Sequence, residues 1–330
     1  MKFEKEYWDE LGNLFRRKAI NRKTSQNKLE TIYSLHSTNK IDINNISVED
    51  LIALLELILE GKITETSTII EAAKRFSDDI DIQYLIAAIL FMKGKNEIAL
   101  SSINKLLGQL ENIEALNLKA MILWKNRQIG ELEYILNKAL LLDPDNIEIL
   151  FNKGLFSLEI EDYVNAANSF KRILEINPDH APTLLRMANV IMQSQRVDNV
   201  NYDAAIKLLK RALDLSPDIP EILETLGIAL FNLGNITEAE KYFQKLIKTQ
   251  KEEAAWYYLG LAAFSRGNTE QAMALFSQAL KINPTNPDLW YYHGLAAMYS
   301  NKPEEAKSSL QKAIDLDPSL IEARDFLKML

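Results

Sequence analysis

The chain has 330 residues, 47% hydrophobic and 25% charged, a balance that excludes both a disordered chain and a membrane-embedded one and supplies apolar surface for a large core. Eleven glycines and nine prolines are too few for a protein of many strands, and the absence of cysteine removes disulfides, thiolate nucleophiles and cysteine-ligated metals. The net charge of −8 is unevenly divided: residues 1–46 hold nine Lys/Arg against six Asp/Glu, and the acidic remainder should repel nucleic acid.

The chain opens Met1-Lys2-Phe3-Glu4-Lys5-Glu6-Tyr7-Trp8, with acids where a secretion signal needs an apolar run. No later stretch approaches the roughly 18 uncharged apolar residues of a membrane span, so the expected location is the cytoplasm. Residues 1–46 read as a helical, basic segment. Arg16, Arg17, Lys18, Arg22, Lys23 and Lys28 cluster there without interleaved aromatic side chains to stack on bases, which favours a solvated helix end over a nucleic-acid site.

From residue 47 onward a strict period runs through the chain. Pro144, Pro178, Pro284 and Pro318 each close an amphipathic stretch, in Leu142-Asp143-Pro144-Asp145 and its three counterparts, and the spacing within each adjacent pair is 34 residues. Pro217 joins the series after an insertion at residues 195–201. Units set to begin at 47, 80, 113, 147, 181, 220, 253 and 287 align a small eighth residue: Ala87, Ala120, Gly154, Ala188, Gly227, Gly260 and Gly294. Twelve residues on, allowing for the insertion, a second small residue recurs as Ala99, Ala166, Ala205, Ala239, Ala272 and Ala306. Four further on comes a bulky one: Ile103, Leu136, Phe170, Leu209, Phe243, Phe276 and Leu310. Leu54, Thr66 and Leu132 break the small series. Apolar residues at spacings of three and four make one helical stripe, and small residues facing large ones let two helix backbones approach, so each unit reads as an antiparallel helix pair. Gly94, Gly234 and Gly267 are placed for a left-handed cap between the helices of a pair. The tail at 321–330, with Ile321, Ala323, Phe326, Leu327 and Leu330 on one side, reads as a capping helix.

Trp256-Tyr257-Tyr258-Leu259-Gly260, followed by Ala272, Phe276, Ala279 and Pro284, resembles a near-complete tetratricopeptide repeat, and Trp290, Gly294, Ala306, Ala313 and Pro318 mark a second close match. The resemblance extends over about residues 47–320. Trp8 to Phe15 has the first-helix spacing as well, so residues 5–38 resemble a decayed ninth unit whose second half lacks the matching Ala and Pro.

The resemblance implies an all-α, right-handed superhelical solenoid of about eight stacked units with a groove lined by first helices. It also implies a non-catalytic scaffold or adaptor that takes a protein partner, a peptide or an amphipathic helix, in that groove. Family ligand contacts fall at positions two, five, nine and twelve of the first helices, and reading off five, nine and twelve gives Asn117, Met121, Trp124, Phe151, Leu155, Leu185, Asn189, Met192, Glu224, Ile228, Phe231, Tyr257, Leu261, Phe264, Tyr291, Leu295 and Met298. This arc is largely apolar, suits an apolar or amphipathic ligand, and offers aromatic anchors. Two readings of it stand side by side: a binding surface, or side chains packed between neighbouring first helices by tight curvature. Glu224, Ile228, Tyr257, Leu261 and Tyr291 occupy the places of the Lys, Asn and Arg with which some family members clamp a terminal carboxylate, so no such clamp is expected. Asn117 and Asn189 read either as backbone-orienting amides or as core-bridging ones.

His36, His180 and His293 share no spacing with one another or with acids, and no glycine-rich phosphate loop occurs, so no metal, cofactor or catalytic site is expected. A second reading of the function is self-association, with residues 1–46 received by the groove or an end face of the same or another copy. A third makes the chain the accessory subunit of an enzyme complex.

Overall fold

In the computed structural model the described residues are 26–330, except 39, 60, 65, 77, 195–200, 218 and 250–252. They form 18 α-helices and no strand. Most of the predicted basic cluster, the first half of the predicted ninth unit and nearly all of the insertion lie outside the described residues. The chain divides into two compact units at Lys153 and Gly154.

In the first unit α1 (Gln26–Ser37) packs on α2 (Val48–Leu59), as a second helix packs on the first helix that follows it. Lys28, the described member of the basic cluster, is paired with Glu49 and Asp50 at 2.9 and 3.0 Å. The pair begun by α2 is incomplete. Its second helix, α3 (Ser67–Ala73), is short and runs into a 3-10 turn at Lys74–Phe76, where Leu54 and Thr66 interrupt the small-residue series. Regular pairs follow: α4 (Ile80–Met92) with α5 (Asn96–Leu107), and α6 (Ile113–Lys125) with α7 (Ile129–Leu142). Helix α8 (Ile147–Glu159) crosses the division.

The second unit continues with α9 (Tyr163–Ile176), then the pairs α10 (Ala181–Gln193) and α11 (Tyr202–Leu215), α12 (Pro220–Asn232) and α13 (Ile236–Thr249), α14 (Glu253–Ser265) and α15 (Thr269–Ile282), α16 (Pro287–Tyr299) and α17 (Pro303–Leu316). Helix α18 (Ile321–Met329) packs on α17 and closes the unit. First helices therefore begin at the predicted unit starts from residue 80 onward. No described helix is long and apolar enough to cross a membrane.

Within each pair the eighth position meets the bulky residue sixteen further on in the regular register. A Cβ placed on Gly154 would lie 2.5 Å from Phe170, one on Gly227 2.6 Å from Phe243, and one on Gly260 2.5 Å from Phe276. The three phenylalanines are fully buried, and each such burial is worth on the order of 1.5–3 kcal/mol. The glycine is required by the ring, since only a bare backbone leaves room for it. Where the bulky residue is Ile103, Leu136 or Leu209, the facing residue is Ala87, Ala120 or Ala188.

Two kinds of turn set the rhythm. Between the helices of a pair the fifteenth residue is left-handed, at Gly94, Gly234 and Gly267 as the sequence predicts, and also at Arg127, Glu161 and Asn301. Its amide and the next donate back over the helix end, as in Gly234 N to Phe231 O at 2.9 Å and Asn235 N to Leu230 O at 2.8 Å. Both otherwise orphaned carbonyls are thereby satisfied. Between pairs the residue before proline ends the second helix and its side chain accepts an amide two residues on, Asn177 from Asp179 and Asp317 from Ser319. Proline itself lacks the amide a continuing helix would need.

Candidate functional site

In the second unit α10, α12, α14 and α16 approach one another, whereas each second helix packs on the first helix of the next pair. The first helices thus form one continuous row, and positions five, nine and twelve lie along it. None of the predicted contact residues is fully exposed. Met121, Trp124, Leu155, Leu185, Asn189 and Leu295 are buried and offer almost no surface. Asn117, Phe151, Met192, Glu224, Ile228, Phe231, Tyr257, Leu261, Phe264, Tyr291 and Met298 are half-buried, each ordered by neighbours with part of its surface in solvent.

The half-buried residues of α12, α14 and α16 are tied together by aromatic contacts at position six, which the sequence reading passed over. Tyr258 stacks on Phe243 with ring centroids 5.1 Å apart, and one repeat later Tyr292 stacks on Phe276 at 5.9 Å. Tyr257 meets Tyr292 edge-on at 5.7 Å, Phe231 meets Tyr258 at 5.2 Å, and Phe264 meets Tyr299 at 5.7 Å. Tyr291 reaches Phe326 of the closing helix at 6.3 Å. Each contact of this kind contributes roughly 0.5–1.5 kcal/mol beyond area burial. Recurrence of tyrosine at both position five and position six in consecutive units was the signal available in the sequence. Burial, followed by Tyr292 and Asp288, pushes the Tyr257 hydroxyl far above its usual range, and burial with Tyr292 and Glu322 raises that of Tyr291. Both rings are neutral at any physiological pH.

Polar groups in the first-helix rows are engaged within the fold. Arg186, buried on α10, makes a two-point contact with Glu221 of α12, at 2.5 and 3.1 Å. The Asn152 side-chain amide donates to Asn117 Oδ1 at 2.6 Å. Asn189 is buried. Glu253, at the start of α14, accepts from Asn283 and Asn286 at 2.8 and 2.6 Å, tying a pair to the loop before the next. His293 is buried between Ser277 Oγ, 3.0 Å from Nε2, and Ser309 Oγ, 2.9 Å from Nδ1. Since Ser277 already donates to the Met273 carbonyl, the ring donates through Nε2 and accepts the Ser309 hydroxyl at Nδ1, so neutral imidazole satisfies every partner. Among the described residues no group of His, Asp and Glu is arranged to hold a metal ion.

Three family models, each described as tetratricopeptide repeat, match residues 147–180, 196–253 with 225–287, and 263–328. The chain belongs to the tetratricopeptide repeat family. Among curated relatives, TPR repeat-containing protein MJ1428 of Methanocaldococcus jannaschii is 26% identical over 266 residues, covering 76% of this chain and 46% of that protein. Human Protein IFIT1 homolog B is 24% identical over 242 residues, 63% of this chain and 49% of that one. The chain thus spans about half the length of these tetratricopeptide repeat relatives. Of the solved structures, a tetratricopeptide repeat protein from Parabacteroides merdae superposes with a TM-score of 0.57 at 20% identity, covering 76% of this chain and 98% of its own. PilF of Pseudomonas aeruginosa does so at 0.58 and 15%, covering 66% and 97%. These likenesses establish the stacked-pair fold, which is typical of protein–protein interaction scaffolds.

Proposed function

We propose that this tetratricopeptide repeat chain is a non-catalytic scaffold that binds a peptide or amphipathic helix along the row of first helices, with the principal contacts on α12, α14 and α16. The observation that carries this reading is the run of half-buried aromatic side chains Phe231, Tyr257, Phe264 and Tyr291 on three consecutive first helices. Their rings are held by aromatic neighbours on one side and meet solvent on the other, so a ligand would gain apolar contact without first ordering them. The buried members of the arc, Leu185, Asn189 and Leu295 in this unit, support the row from beneath.

Selection of a displayed peptide library on the full chain tests the proposal. Enriched peptides should be rich in apolar residues at helical spacing, and Tyr257→Ala with Tyr291→Ala should weaken them at least about tenfold, the scale of an interface anchor, while far-ultraviolet helicity stays unchanged. Enrichment that survives the double substitution would place the binding surface elsewhere.

A further inference from the structure

The three first helices that carry the aromatic row carry charge of one sign. Helix α12 contains Glu221 and Glu224, α14 contains Glu253 and α16 contains Asp288, and none of the three contains Lys or Arg. The basic residues of the same repeats sit on the second helices instead: Lys241, Lys245 and Lys248 on α13, Lys281 on α15, and Lys307 and Lys312 on α17. The second helices also carry acids, Glu238 and Glu240 on α13, Glu270 on α15, and Glu304, Glu305 and Asp315 on α17, so the single sign of charge belongs to the first helices alone.

The acids differ in what they already do. Glu221 is committed to Arg186 and Glu253 to Asn283 and Asn286. Asp288 and Glu322, at the second positions of α16 and α18, are exposed, and among the described residues neither has an ion-pair partner. Asp288 stands one helical turn before Tyr292, whose ring meets Tyr257 at 5.7 Å, and Glu322 one turn before Phe326, whose ring meets Tyr291 at 6.3 Å. Tyr257 and Tyr291 therefore each meet a ring that lies one helical turn from an exposed carboxylate, contributed by the following helix pair or the closing helix. A neutral apolar ligand would leave these carboxylates unused and partly desolvated at the rim, and an acidic one would be repelled by them. A Lys or Arg one helical turn from an apolar side chain would pair with the carboxylate while its stem lies on the tyrosine face, adding a cation–π contact.

We infer that the segment bound along α12, α14 and α16 is a cationic amphipathic peptide, apolar on the face that meets Phe231, Tyr257, Phe264 and Tyr291 and Lys- or Arg-bearing along the edge that meets Asp288 and Glu322. This rests on the proposed function, to which it adds the charge of the partner.

Fluorescence anisotropy of the full chain with three labelled peptides of one amphipathic Leu pattern, their polar positions filled by Lys, Gln or Glu, tests it. The Lys peptide should bind at least about tenfold more tightly than the Gln peptide, with the difference shrinking as salt rises, and the Glu peptide most weakly. Asp288→Lys with Glu322→Lys should abolish the preference for Lys over Gln. Glu270→Lys with Glu304→Lys, which changes net charge equally on the second helices, should leave it in place. If the two double variants reduce the preference equally, overall charge and not the row attracts the peptide, and the inference falls. If all three peptides bind alike and lose affinity in Tyr257→Ala with Tyr291→Ala, the aromatic row is a binding site and the cationic partner is wrong. If no peptide binding responds to Tyr257 and Tyr291, the proposed function itself fails.

Discussion

Gly260 lies beneath the ring of Phe276 so closely that a Cβ on residue 260 would stand 2.5 Å from Phe276 Cε1. The same relation joins Gly154 to Phe170 and Gly227 to Phe243. Because Phe276 is fully buried, its ring has no open space into which to retreat. Gly260→Ala should therefore destabilise the chain by about 1–3 kcal/mol, the usual cost of overpacking, despite the higher helix propensity of alanine. Combining it with Phe276→Leu should recover part of that loss, since Leu136 stands in register with Ala120 and Leu209 with Ala188. A double-mutant cycle by chemical denaturation would read the coupling. Additive effects would show that the two positions do not constrain each other.

Left-handed backbone at the fifteenth position suits glycine, as at Gly94, Gly234 and Gly267, and is also borne by Arg127 and Glu161 at φ of 59° and 60°. Both residues are exposed. Arg127→Gly and Glu161→Gly should each raise stability by roughly 0.5–1 kcal/mol, and Gly267→Ala should lower it by about 1 kcal/mol. Thermal melts of the three variants decide whether backbone conformation or the side chain governs these turns.

Arg186 and Glu221 make an asymmetric pair, the guanidinium side chain 4% exposed and the carboxylate 32%. Loss of the Glu221 carboxylate removes a two-point acceptor from a buried cation, whereas loss of Arg186 leaves a carboxylate that water can reach. Glu221→Gln should cost about 2–3 kcal/mol and Arg186→Met less than about 1.5 kcal/mol. Equal costs, measured in denaturant, would contradict this ordering.

His293 gives the second unit a pH dependence of defined sign. Burial holds its imidazole below the ordinary value of 6.5, against the opposing pull of Glu305 and with a smaller push from Lys302. The unfolded chain therefore takes up the proton first, and the stabilisation is complete above the ordinary value and lost as pH falls beneath it. The loss should not exceed about 1.4 kcal/mol per pH unit. Between pH 7.5 and 5.5 the wild-type midpoint should fall, and His293→Gln should flatten the curve. An unchanged slope in the variant would assign the effect to other groups.

Helix pairs, their starting residues and their proline stops were legible in the sequence because each depends on neighbours within a turn or two of chain: amphipathic spacing, a small residue under a large one, a missing amide. The position of the left-handed turn residue was readable at Gly94, Gly234 and Gly267 and hidden at Arg127 and Glu161, where the repeat geometry overrides a residue's own preference. The candidate site was legible in outline only. Whether Leu185 and Leu295 are covered while Phe231 and Tyr257 keep an open side depends on how closely successive first helices approach, and that is set by contacts between residues a full repeat apart. Side-chain pairs such as Arg186 with Glu221, or Tyr257 with Tyr292, have no signature within a single unit. Local periodicity determines what one pair of helices is; the tilt at which pairs stack, decided by the packing of many distant side chains at once, determines which of their residues remain for a partner.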